Sequence, residues 1–359
     1  MEAEPLSRLQ LPIYHPPIYG LLRWAYTLCI TAQQSSANEW LYSNFIQVHC
    51  NKHFIELEEE LFFDFYHGHW NEMLHNPFLV TTSISTSMLQ DYANYAGITN
   101  ILVSQLDSGN YPVLFVDEQY ISYTTAYQAY PFPHHIFIYG YDLDERIFYT
   151  YGFGHDLKLG HHRTSFLEVE QAFQSIVHIL DQKLRIDQHS FFYDHKPAAT
   201  YELDLYRIQH QLQDYLNSHS DLGRGDFKTE GLAFGIECYD HLVHFLRAVE
   251  QGESFLLRAN PPRQLHLLWE HKKTMMERVA YLQRLEIIPA NQQLLSSFIQ
   301  IANQAQAARD MYVEHVFKGV DNVHQRIIEQ LFALRDQESV YVEMLIKEIE
   351  HAKHNMLYI

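Results

Sequence analysis

The sequence has few cysteines, few positive charges and no long apolar run. Three cysteines, Cys29, Cys50 and Cys238, are spread over 359 residues without a Cys-x-x-Cys pair, and an odd number argues against a disulfide framework. Lysine and arginine together number 25 against 44 acidic residues, so the formal net charge is −19. Because phosphate binding requires a basic face, this balance argues against nucleic acid as the main partner.

The sequence also lacks the apolar segments of membrane and secreted proteins. No uninterrupted apolar run approaches the roughly 18 residues that a membrane span needs. Residues 1–12 contain acidic, basic and proline residues instead of the apolar core of a signal peptide. Since the few cysteines suit a reducing compartment, we expect a cytoplasmic protein that does not bind membranes.

Aromatic residues and histidines, in contrast, are abundant. The chain is 47% hydrophobic and contains 25 tyrosines and 22 phenylalanines, which is enough for a packed core. Its 24 histidines form neither an HExxH motif nor a Cys/His pattern with metal-ligand spacing. We therefore expect neither a metal nor a cofactor.

The first half mixes helical and extended patterns and indicates an α+β layout, with a helix packed on an antiparallel sheet. Apolar positions at helical spacing predict helices over residues 17–34 and 81–96. The pair Ser165 and Glu168 matches a capping box and predicts the start of a third helix over 165–180. Short β-branched or aromatic runs predict strands over 100–106, 112–116, 135–139 and 146–151.

The second half has an almost purely helical pattern. The pattern breaks between residues 184 and 200, so we predict two domains, an α+β domain over 1–190 and a helical domain over 200–359. Periodicity near 3.6 residues predicts helices over 201–218, 231–250, 264–285, 291–317 and 321–352.

The most informative stretch is residues 134–142, His-His-Ile-Phe-Ile-Tyr-Gly-Tyr-Asp. A histidine pair opens a short apolar strand, and successive side chains in a strand point to opposite faces, so His134 and His135 cannot face one cleft. A cysteine nucleophile needs a neighbouring base, and the base needs a third group that orients it. The residues available for these roles are Cys29, Cys50 or Cys238, His134 or His135, and Asp142, Asp144 or Asp156.

Residues 109–117 (Gly-Asn-Tyr-Pro-Val-Leu-Phe-Val-Asp), Ala126-Tyr127 and residues 134–142 together resemble the papain-like, bacteriocin-peptidase-like group. More narrowly, they resemble its butirosin-biosynthesis acyltransferase branch. The helical stretch Trp269-Glu270-His271-Lys272-Lys273 and residues 277–282 are similar to the C-terminal halves of such proteins from bacterial secondary-metabolite clusters. The resemblance covers most of the chain loosely and is fairly specific only over 109–142.

The resemblance implies a papain-like fold that moves an acyl group from a thioester to an amine. It places a general-base histidine at the start of the motif strand, and the family's spacing to the Gly-Tyr-Asp turn selects His134. The family nucleophile is a cysteine at the start of the first long helix, where this chain has Tyr-His-Pro-Pro over 14–17. The family's orienting acid lies on the following strand, at a position that falls near Gly152 in this chain, and glycine has no side chain that could take this role.

Cys50 is the preferred candidate for the missing nucleophile. It follows an extended segment and lies between His49 and Asn51, polar neighbours that suit a reactive, partly exposed thiol better than the apolar helix face of Cys29 does. His134 would act as base and then as acid, and backbone amides would form the oxyanion hole. The predicted catalytic residues are Cys50, His134 and Asp142.

Residues 258–278 form a locally basic segment, with five lysines and arginines against two acidic residues. Because acyl carrier proteins are generally acidic, a positive face would favour their docking, although a solvated helix face explains the pattern equally well. Exposed charges contribute little to folding, so we expect reversal of these charges to leave stability nearly unchanged. The predicted partner-binding residues are Arg263, Lys272, Lys273 and Arg278.

Three functions are compatible with the sequence. The first is an acyltransferase or amide synthase of natural-product biosynthesis, with an acyl carrier protein or another thioester as donor and an amine as acceptor. The second is a cysteine hydrolase, in which water replaces the amine. The third is a catalytically degenerate papain-like accessory or binding protein, which the missing helix-start cysteine and strand acid favour. The oligomeric state is open, a homodimer included.

Overall fold

The structure is a computed structural model and describes residues 7–67, 73, 75–179, 188–221, 230–256, 261–319 and 322–356. Within these residues the strands are β1 (Arg8–Gln10), β2 (Val48–Asn51), β3 (Phe63–Phe65), β4 (Leu79–Ser85), β5 (Asn110–Asp117), β6 (Pro133–Asp142), β7 (Ile147–Phe153), β8 (Leu159–Ser165), β9 (His189–His195) and β10 (Leu232–Phe234). The helices are α1 (Leu22–Thr31), α2 (Ala37–Asn44), α3 (Thr86–Ala96), α4 (Ile98–Asp107), α5 (Phe166–Ile179), α6 (Leu205–Leu216), α7 (Cys238–Glu250), α8 (Pro261–Arg284), α9 (Gln292–Lys318) and α10 (Val323–Met356).

Two compact units divide the chain. Unit 1 comprises residues 1–35 and 71–200, and unit 2 comprises residues 36–70 and 201–359. The segment 36–70 therefore belongs with the C-terminal helices. The division into an α+β domain over 1–190 and a helical domain over 200–359 stays a prediction.

Unit 1 is built on an antiparallel sheet with the strand order β4-β9-β5-β6-β7-β8, and β1 pairs with the end of β6. One cluster of buried side chains, which includes Leu102, Val116 and Phe173, joins the sheet to α3, α4 and α5. A second cluster joins the sheet to α1, where the rings of Tyr26 and Phe137 stack 5.3 Å apart. The mixed fold predicted for this half, helices on an antiparallel sheet, is confirmed.

Most of the predicted strands of unit 1 are present. The runs 112–116, 135–139 and 146–151 lie within β5, β6 and β7, and helices cover both faces of the sheet, so these strands are almost continuously apolar. The predicted capping box also starts α5. Ser165 Oγ accepts a hydrogen bond from the Glu168 amide (3.2 Å), and Glu168 Oε2 accepts one from the Ser165 amide (2.8 Å).

Two predicted elements of unit 1 are wrong. Residues 100–106 belong to helix α4 and not to a strand. The fully buried Leu102 and Leu106 are four residues apart, which places them on one helix face. The helix predicted over 81–96 begins only at Thr86, because the preceding residues form β4, which pairs along its whole length with β9.

Unit 2 combines a small antiparallel sheet, β10-β2-β3, with α2 and the C-terminal helices. The five helices predicted after residue 200 are present as α6 to α10, with β10 at the start of the second predicted span. Side chains cap two of them: Asp204 accepts a hydrogen bond from the Arg207 amide (2.9 Å), and Asn291 accepts one from the Leu294 amide (3.1 Å). The predicted helical C-terminal region is confirmed.

Candidate functional site

His134 lies at the start of β6 and pairs with a carboxylate from the turn that follows β5. The two strands are antiparallel, with Val116 opposite His134 and Asp117 opposite Pro133, so the residue after β5 comes beside the histidine. That residue is Glu118, and its Oε1 lies 2.8 Å from His134 Nδ1. We call His134 and Glu118 the His134 dyad.

The turn that carries Glu118 is fixed by a buried aspartate. Asp117 is fully buried, and its Oδ1 accepts hydrogen bonds from the amides of Gln119 (3.1 Å) and Phe132 (2.9 Å). Its Oδ2 accepts one from Ser175 Oγ of α5 (2.8 Å). The Glu118 amide in turn donates to the Phe132 carbonyl (2.9 Å). The glutamate backbone therefore cannot move without breaking several hydrogen bonds around the turn.

The two members of the dyad differ in exposure. The His134 side chain is 37% exposed, whereas that of Glu118 is 10% exposed. The Phe132 ring stacks on the imidazole with ring centroids 5.3 Å apart. Nothing in the described part of the chain bonds the second ring nitrogen, Nε2. A carboxylate on Nδ1 keeps the proton there and leaves the Nε2 lone pair available, which is how a general-base histidine is prepared.

His135 has a different role. It is 7% exposed, and its Nε2 donates to the His189 carbonyl (2.8 Å), while the Tyr26 hydroxyl of α1 donates to its own carbonyl (2.9 Å). Burial lowers the pKa of the His135 imidazole to about 3. His135 therefore stays neutral near pH 7 and ties β6 to β9.

This burial predicts a pH-dependent stability. Below the ordinary histidine pKa of about 6.5, His135 binds a proton in the unfolded chain but not in the folded protein. Its contribution to the free energy of unfolding is therefore complete above about pH 6.5 and is lost as the pH falls toward 3. The free energy of unfolding should therefore change with pH by up to about 1.4 kcal/mol per pH unit on account of this residue. Urea unfolding at several pH values should give a shallower slope for His135→Gln than for the wild type. The exposed His155→Gln serves as a control, and equal slopes for the His135 variant and the wild type would contradict the assignment.

The predicted pairing of Asp142 with His134 is not present. The two residues stand at opposite ends of β6, and eight residues of strand span about 26 Å. Asp142 Oδ1 instead accepts a hydrogen bond from the Glu145 amide (2.9 Å), and its Oδ2 lies 3.9 Å from Arg8 Nε. Asp142 thus shapes the β6–β7 turn.

Cys50 is not the partly exposed thiol that the sequence predicts. It is fully buried in β2, between Phe63 of β3 and Ala233 of β10, and it belongs to unit 2, whereas His134 belongs to unit 1. Cys29 and Cys238 are also buried, and burial raises the pKa of both thiols well above the usual value. A buried thiol with a raised pKa forms little thiolate, which is the reactive species.

The predicted basic surface on α8 is largely internal. Lys272 and Arg278 are fully buried, so neither can contact a partner as an exposed charge. Arg263 pairs with Glu60 (2.9 Å), and Lys273 lies 3.7 Å from Glu277. Arg258, at the start of the predicted segment, lies outside the described residues.

The buried cations of α8 hold unit 2 together. Arg278 donates to the carbonyls of Tyr42 (2.7 Å) and Phe45 (2.6 Å) at the end of α2. Lys272 Nζ lies 2.7 Å from Glu338 Oε2 of α10 and donates to the Tyr215 hydroxyl (2.8 Å). Arg278 satisfies helix-end carbonyls, and Lys272 pairs with one oxygen of a buried carboxylate, so the role of both cations is structural.

Sequence reasoning missed Glu118, the acidic member of the dyad. The signal was available in the two strands that were predicted. An antiparallel pair brings the end of one strand beside the start of the next, so the acids after the strand at 112–116 were candidates to meet the histidines before the strand at 135–139.

The described residues thus define a mixed fold of antiparallel sheet and helices, with a histidine–carboxylate dyad at one end of the larger sheet. No protein-family model matches the chain, and a comparison with curated proteins returns no match. Among the described helices, none combines the length and apolar character required to cross a membrane.

Proposed function

We propose that the protein is a papain-like acyltransferase that forms amides without an acyl-cysteine intermediate. The observation that carries the proposal is the His134 dyad: the imidazole is partly exposed, and a nearly buried carboxylate 2.8 Å away orients it. The burial of all three thiols argues against the covalent route that the sequence predicts. The resemblance over 109–142 supports a thioester donor and an amine acceptor.

The reaction then consists of direct attack by the amine. Its nitrogen forms a bond to the thioester carbonyl carbon while His134 Nε2 takes the amine proton, and Glu118 stabilises the resulting imidazolium. The tetrahedral intermediate collapses, the carbon–sulfur bond breaks, and the thiolate leaves with the proton from His134. Glu118 is a positioning residue in this scheme, since it acts through the histidine.

A binding or accessory role is the second candidate. The absence of a cysteine from residues 14–17 and the burial of the three thiols favour it, because a degenerate enzyme would keep the fold and lose the nucleophile. In that case the hydrogen bond between Glu118 and His134 supports the strand ends.

An assay with a small thioester separates these functions. We expect the protein to convert hexanoyl-N-acetylcysteamine and a panel of primary amines to amides faster than buffer does, as measured by liquid chromatography and mass spectrometry. Free hexanoic acid as the main product would identify a hydrolase. If neither product forms faster than in buffer with any amine, the acyltransferase proposal fails and the accessory role replaces it.

A further inference from the structure

The end of helix α6 in unit 2 brings two histidines and two aspartates together. His210 and Asp214 are four residues apart on α6 and therefore lie on one face. The chain then reverses through Ser218, whose φ is +53°, and the His219 amide donates to the Asp214 carbonyl (3.0 Å). This reversal returns Asp221 to the helix, where its amide donates to Asp214 Oδ2 (3.0 Å).

The side chains converge on a small volume. One ligand atom from each of His210, Asp214 and Asp221 lies within 4.8 Å of the others. His210 Nε2 and Asp221 Oδ2 are 3.4 Å apart, close to the roughly 3.3 Å between ligand atoms of a tetrahedral zinc ion with bonds of about 2.0 Å. His219 Nε2 lies 2.8 Å from the other oxygen of Asp221, the carboxylate–histidine contact that orients metal ligands.

Burial and access also suit an ion. Asp214 is only 7% exposed, so its carboxylate is held in place on the buried side of the cluster. The His210 side chain, on the open side, is 51% exposed. His210 also lines an open groove of about 500 Å³ along α6. The cluster is therefore accessible from solvent on the His210 side.

We propose that His210, Asp214 and Asp221 form a binding site for a divalent transition metal, with Zn²⁺ as the ion that fits best. Imidazole and carboxylate ligands select zinc and its neighbours over Mg²⁺ and Ca²⁺, which prefer oxygen alone. Three protein ligands leave one tetrahedral position for water or another small ligand. The sequence predicted no metal because the linear spacing hides Asp221, which only the chain reversal brings to the helix.

Calorimetric titration of the metal-depleted full-length protein with zinc chloride tests the site. We expect the wild type to bind one equivalent of zinc saturably and with high affinity. The affinity of His210→Gln should be at least tenfold weaker, because loss even of residues outside the metal's direct ligands usually lowers affinity by about 10–100-fold. Asp214→Asn should weaken binding similarly. His210→Gln is the more secure variant, because its side chain is half-exposed and the change leaves the helix intact.

The 24 histidines of the chain supply weak background binding, so a matched control is required. His351 is an exposed histidine of α10 in the same unit, and His351→Gln should bind zinc as the wild type does. Equal affinities of the wild type and His210→Gln would overturn the proposal, as would the absence of any saturable zinc binding. The outcome is independent of the acyltransferase assay, since no residue of the His134 dyad is involved.

Discussion

Replacement of Lys272 by methionine should lower the free energy of unfolding by about 3–5 kcal/mol. Lys272 and Glu338 are both fully buried, and Glu338 Oε2 also accepts hydrogen bonds from Tyr215 (2.8 Å) and Tyr239 (2.9 Å). Removal of the cation would leave a carboxylate charge in the core without its counter-ion. Burial lowers the pKa of Lys272, and the attraction of Glu338 opposes this shift.

Lys273→Met provides the matched control. Its side chain is 30% exposed, pairs with the neighbouring Glu277 at 3.7 Å and lies over the Trp269 ring, so we expect a change below about 1 kcal/mol. The double variant Lys272→Met/Glu338→Gln should recover part of the lost stability, because it removes both charges. Urea unfolding measures the stability of Lys272→Met, Lys273→Met and the double variant. A loss of less than about 1 kcal/mol for Lys272→Met would contradict the buried ion pair and support the exposed lysine that the sequence predicts.

Replacement of His134 by alanine should reduce amide formation by about 10²–10⁴-fold, the usual contribution of a positioned general base. The side chain is partly exposed and bonds only Glu118 among the described residues, so the variant should fold normally. Steady-state rates with the N-acetylcysteamine thioester measure the loss, and the exposed His155→Gln should keep the wild-type rate.

Glu118 should behave as a residue that acts through the histidine. We expect a smaller loss for Glu118→Gln, because an amide oxygen can still accept the hydrogen bond from Nδ1. The double variant His134→Ala/Glu118→Gln should be no slower than His134→Ala alone, since the two groups work as one unit. Additive losses would show that Glu118 has a separate role, and full activity in His134→Ala would remove the dyad from the reaction.

Local patterns predicted most of the helices and strands because the decisive information was local. The capping pair Ser165 and Glu168 determined the start of α5, and apolar periodicity identified α8 to α10. The element β4 could not be found in this way, because residues 79–85 become a strand only through pairing with β9, which is distant in sequence. The helix over 98–107 was within reach, since its buried leucines follow helical spacing.

The site was harder to predict than the fold because burial and long-range contacts decide it. A charge count treats Lys272 and Lys273 alike, although one is in the core and the other is on the surface. Polar neighbours in sequence suggested that Cys50 is accessible, but its side chain is fully buried in the folded protein. The prediction that the two histidines cannot share one cleft depended only on strand alternation, and their separate contacts agree with it.

The central claim is that amide formation proceeds at the His134 dyad without an acyl-cysteine. The most direct test is the intact mass of the protein after incubation with hexanoyl-N-acetylcysteamine alone, followed by addition of the amine. We predict that the protein mass stays unchanged with the donor alone and that amide forms once the amine is added. A mass increase equal to one hexanoyl group, mapped to Cys29, Cys50 or Cys238 and lost on addition of the amine, would contradict the claim.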